Sequence, residues 1–148
     1  MSSTYESADL LMKLYELRRE PSMREARAWF AAEFNPTTFE EVQQALTGPK
    51  SPQFRMVSSY WDMAASFVNN GAIDERMFND ANGEQYVVFA KLEPYTAKYR
   101  EMMGNPTSFV HLEKLVMKTP GAKERMATIR QRFKGMADAR AQAAAGRV

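Results

Sequence analysis

A chain of 148 residues with 45% apolar and 26% charged residues has a globular composition and is long enough to bury roughly two thirds of its unfolded surface in one core. It contains no cysteine, which excludes disulfides, thiolate nucleophiles, iron–sulfur clusters and cysteine–zinc sites at once. The net charge of +2 hides an acidic body, with 11 Lys and Arg against 15 Asp and Glu in residues 1–105, and a basic end, with 9 against 3 in residues 106–148.

The first stretch, MSSTYESADLLMKLY, carries acids early and has no basic start before an apolar run, so it does not read as a signal peptide. Nothing in the chain approaches the 18 or more consecutive apolar residues of a membrane span. A soluble, cytoplasmic protein is expected. A first helix over about 6–19 is predicted by Leu10, Leu14 and Leu17 at spacings of four and three, with Thr4 or Ser7 as cap. Pro21 opens a second helix that places Met23, Ala26, Phe30 and Phe34 on one stripe and stops before Asn35-Pro36. Thr37 or Thr38 caps a short third helix through Leu46, with Glu40 and Glu41 at the positive end of its dipole. Residues 47–52, TGPKSP, read as a loop.

The strongest pattern lies in about 54–69, where Val57, Tyr60, Trp61, Ala64, Phe67 and Val68 form two adjacent rows on one face, so this helix is expected at the centre. Asn69-Asn70-Gly71 ends it, and Asp74 caps a short helix carrying Met77 and Phe78. Val88, Leu92, Tyr95, Tyr99 and Met102 stay in phase across Pro94, which predicts one kinked helix over about 84–103. Asn105 is read as the next cap, with Pro106 at the first position of a helix holding Phe109, Leu112, Leu115 and Val116. A last helix follows TPGA and carries Met126, Ile129, Phe133 and Met136 at heptad spacing, beyond which an alanine-rich end is expected to fray. The whole reads as an all-α single-domain bundle of about six to eight helices, residues 1–118 forming the helical domain and residues 119–148 a basic amphipathic C-terminal helix.

Catalytic patterns are sparse. His111 is the lone histidine, and Ser108 stands where a Glu-x-x-His element would need its glutamate. Gly48-Pro49-Lys50-Ser51 lacks the upstream glycine and the preceding strand of a phosphate-binding loop. Adjacent carboxylates at Glu40 and Glu41 and at Asp74 and Glu75 diverge around a helix and do not meet. Asp62, beside Trp61 on the apolar central helix, is the residue that neither capping nor packing explains, so Trp61 and Asp62 mark a candidate pocket. The seam of Met126, Ile129, Phe133 and Met136, flanked by Arg125, Arg130 and Arg132, is a candidate interaction surface. No nucleic-acid reading motif accompanies those cations. No catalytic residue, cofactor or metal site is expected.

Three runs, LYELRREPSMREARAWF, VSSYWDMAASFVNNGAIDERMF and FAKLEPYTAKYREMMGNPTSFVHLEKL, resemble a widespread family of small helical bacterial proteins classified only as a domain of unknown function. The resemblance covers about residues 10–118 and implies an all-helical fold, with no reaction or catalytic residue attached to it. Members with an N-terminal hydrophobic helix look membrane-anchored, whereas this sequence has no such helix. Together these readings give a non-catalytic protein that binds a protein partner or itself, a homodimer being one such form; the alternative is peripheral binding of nucleic acid or anionic membrane through the basic C-terminal helix.

Overall fold

The computed structural model describes residues 2–147, and all regular structure among them is helical. Ser3 starts α1 (Thr4–Arg19): its hydroxyl accepts from the Glu6 amide and the Glu6 carboxylate accepts from the Ser3 amide, a closed capping box. The cap is therefore neither Thr4 nor Ser7. Ser7 is buried, and its hydroxyl accepts from the Asp74 amide at 3.0 Å, tying α1 to the start of a later helix. Leu14 faces the core, but Leu17 is 53% exposed and leaves the expected stripe.

Pro21 stands at the start of α2 (Pro21–Ala32), which buries Met23, Ala26 and Phe30. Thr38 caps α3 (Phe39–Thr47). The loop before the next helix is shorter than expected, because α4 (Ser51–Asn69) takes Pro52 into its first turn, where a missing amide leaves no bond unmade. The central position of α4 is clear: it packs against α2, α3 and α8 (Val110–Val116). Its buried face carries Phe54, Val57, Tyr60, Trp61, Ala64, Ala65 and Val68. Gly71 (φ 80°) closes it in the left-handed region, and the Asp74 carboxylate accepts from the Met77 amide to begin α5 (Glu75–Ala81).

The run across Pro94 is resolved into α6 (Glu84–Leu92), a 3-10 turn (Glu93–Tyr95) and α7 (Thr96–Met103). The expected kink is realised as this 3-10 turn, and the stripe survives it: Val88, Leu92 and Tyr99 are all buried. After Gly104 the sequence reading is corrected. Asn105 accepts from the Thr107 amide and hydroxyl in a local turn, and the helix waits until Val110. Phe109 sits at φ 60°, the one positive-φ residue other than glycine among the described residues, with its ring against Tyr99 at 4.7 Å between centroids. The last helix, α9 (Ala122–Ala145), packs on α6 and α2 and stays helical through the alanine-rich end that was expected to fray.

Candidate functional site

Helix α2 ends against α6 and α9, which supply donors to its last carbonyls. The Trp29 carbonyl accepts from the amides of Glu33 and Phe34. Lys91 of α6 donates from Nζ to the Phe30 carbonyl at 2.7 Å and to the Ala31 carbonyl at 2.9 Å. The Ala32 carbonyl accepts from Asn35 Nδ2 at 3.2 Å and from Arg140 Nη2 of α9 at 2.7 Å. Two cations from two other helices thus sit on the negative end of the α2 dipole.

Lys91 is only 2% exposed and forms no ion pair among the described residues. Its ammonium lies 4.7 Å from the centre of the Phe133 ring and 5.7 Å from that of Phe30. Burial, with a smaller contribution from the charge of Arg140, pushes its pKa down from 10.5 to about 7. With a pKa near 7, this buried amine can be neutral near physiological pH.

A cavity of about 220 Å³ opens beside it. The α2–α3 loop contributes Asn35, Pro36 and Thr37; Lys91, Pro94 and Tyr95 form a second wall; Arg130, Gln131 and Lys134 of α9 form the third. The geometry of Arg130 follows from Pro94. A proline at position 94 has no amide to give the Ala90 carbonyl four residues earlier. Arg130 Nη1 takes that carbonyl at 2.8 Å and meets Glu93 Oε2 at 3.4 Å. Tyr95 donates its hydroxyl to the Pro36 carbonyl at 3.1 Å, closing the loop onto the 3-10 turn. A second, smaller cavity of about 140 Å³ is lined by the residues that hold the Lys91 ammonium, Phe30, Ala31 and Phe133, together with Arg27 and Glu84.

Trp61 and Asp62 engage different partners. Trp61 is 1% exposed, and its indole N–H donates to Glu84 Oε2 at 2.8 Å. Glu84 in turn holds Arg27 through two bonds, at 2.9 and 3.1 Å, and Arg27 Nη1 donates to the Arg18 carbonyl at the end of α1. Asp62 points the other way and accepts the Leu112 amide at 2.9 Å. Leu112 is the third residue of α8, whose cap position is occupied by Phe109, a residue with no side-chain oxygen to offer. The carboxylate left unexplained by the sequence is a helix cap supplied across the fold.

The α9 seam divides. Met126 and Ile129 are buried and Phe133 is half-buried against the core, while Met136 is 41% exposed. Of the flanking cations, Arg125 stacks over Tyr86 at 3.9 Å, Arg130 holds the Ala90 carbonyl, and Arg132 is exposed beside Phe133. Lys91 was missed because its only sequence signal is a lone lysine in the apolar run VVFAKLEPY, one position before a buried leucine.

The architecture is that of a single helical domain, centred on α4, with no described helix long and apolar enough to cross a membrane. Residues 3–119 match the family described as Domain of unknown function (DUF4760), and the chain belongs to that family. The match stops just before α9, so Arg130, Gln131 and Lys134 lie beyond the matched residues. Searches among curated proteins and among solved structures gave no significant match.

Proposed function

We propose that this chain is a non-catalytic helical module of the cytoplasm that works by self-association, with the outer flank of α1 as its contact surface. The observation that carries this reading is a stripe of exposed residues at heptad spacing. Tyr5 is 82%, Met12 58% and Tyr15 43% exposed, and Ala8 between them is also exposed. Their spacing of three, four and three is that of a coiled-coil seam, whereas the opposite flank of α1 already packs inward through Ser7 and Leu14.

A second copy is the occupant the stripe fits. In a two-fold antiparallel pair, Tyr5 of one copy faces Tyr15 of the other, and Ala8 faces Met12, a small side chain against a large one. Such a pair also lays Glu6 and Asp9 along the second half that carries Lys13, Glu16, Arg18 and Arg19, with Asp9 and Lys13 already paired at 3.0 Å within each helix. The α9 seam is less suited to the task, because Met126 and Ile129 are covered by this chain's own core. Sedimentation equilibrium of the full chain is expected to show a monomer–dimer equilibrium that Met12→Glu shifts to monomer. A wild-type chain that stays monomeric at millimolar concentration overturns the reading.

The alternative, peripheral binding of nucleic acid or anionic membrane, draws support from Lys123, Arg132 and Lys134, which remain exposed on α9. Binding of that kind would weaken steeply with added salt.

A further inference from the structure

We infer that the cavity between the α2–α3 loop, the 3-10 turn and α9 binds a small organic monocarboxylate. Its wall carries the basic side chains Lys91, Arg130 and Lys134 and no carboxylate, the Glu93 carboxylate that meets Arg130 Nη1 lying outside the lining. Arg130 and Lys134, four residues apart, project from the same face of α9. The hydrogen bonds of Arg130 within the described residues leave from Nη1 alone. Its Nε and Nη2 make no hydrogen bond among the described residues, and a guanidinium fork matches the two oxygens of a carboxylate. Lys91 Nζ has three protons when charged and places two of them on the Phe30 and Ala31 carbonyls, leaving one donor over.

Beside the polar Asn35, Thr37 and Gln131, the rest of the wall is apolar: Pro36, Pro94, the Tyr95 ring and the methylene stems of the two lysines. At about 220 Å³ the space is below the range of drug-sized pockets and suits a molecule with one charged end and a compact apolar body, such as an aromatic acid. A phosphate would satisfy the cations but leave the proline and tyrosine surfaces unfilled. The carboxylate class follows from that division of the wall.

The test is a titration of the full chain, followed by amide NMR shifts, with benzoate, benzyl alcohol and inorganic phosphate as probes. Benzoate is expected to bind saturably with shifts centred on residues 35–37, 91–95 and 130–134, and both other probes to bind at least about tenfold more weakly. Lys134→Met should weaken benzoate by about fivefold or more, while Lys123→Met, at the exposed start of the same helix, leaves it unchanged. Because Lys134 makes no structural hydrogen bond or ion pair among the described residues, its removal does not threaten the fold. Equal binding of benzyl alcohol, tighter binding of phosphate, no saturable benzoate response, or an unaffected Lys134→Met variant would each overturn the assignment.

Discussion

Lys91 is where the physics of this protein is most concentrated in one side chain. Its charged form is opposed by burial and by Arg140, and this outweighs its hydrogen bonds to the Phe30 and Ala31 carbonyls, which an ammonium makes more strongly than a neutral amine. The folded pKa is about 7 against an ordinary 10.5, so between those values the unfolded chain binds more protons than the folded one. Stability from this residue therefore rises with pH across that window, by at most about 1.4 kcal/mol per pH unit, and is flat below it. Tyr60, raised to about 12 chiefly by burial, acts in the opposite direction above pH 10. The expected outcome is that wild-type melting temperature gains on that of Lys91→Met between pH 7 and 9.5; parallel curves would show that the amine does not change protonation on folding. Asp62 teaches a related lesson at the same scale. Its residue type and its place on α4 were legible, but its role depends on Leu112, fifty positions away in sequence.

At the scale of elements, most helix starts and stops could be read locally, because Thr38, Gly71 and Asp74 act on their own neighbours. Reading failed where a helix end is completed by a distant side chain. Nothing near Phe109 announces a left-handed residue, and the local turn at Asn105 imitates a cap. The break at Pro94 was legible, but not that an arginine from α9 would serve the carbonyl it frees. That arrangement predicts a coupling. In the wild type, Arg130→Met leaves the Ala90 carbonyl without its donor and should cost about 1–3 kcal/mol. In a Pro94→Ala background the residue at position 94 regains an amide that can reach the same carbonyl, so the same change costs less. Urea denaturation of the four proteins should give a coupling of about 1 kcal/mol; additive effects would separate the two residues.

For the whole molecule, the division at residue 118 drawn from the sequence does not correspond to a gap in packing. Met126 and Ile129 belong to the same core as Trp61 and Phe89, and Arg130 and Arg140 cap carbonyls of α6 and α2. The family match covers the elements that surround α4, while the described structure adds a helix that roofs the α2–α6 junction and builds one wall of its cavity. The all-α class and central helix were legible from periodicity alone. The cavity was not, since its three walls come from residues 35–37, 91–95 and 130–134, which share no local pattern.

The borrowed cap also makes α8 dependent on another helix. A seven-residue helix is too short to persist in water, and α8 has no side-chain cap of its own. It acquires one from Asp62, while Asn69, a further turn or two along the same helix, holds the His111 carbonyl at 3.0 Å. The helicity of the α8 segment is therefore conditional on a folded α4. A peptide spanning residues 104–118 should show no helical circular dichroism in buffer, and Asp62→Ala should slow hydrogen exchange nowhere but hasten it at the α8 amides. A peptide that is helical on its own would make the segment an independent nucleus instead.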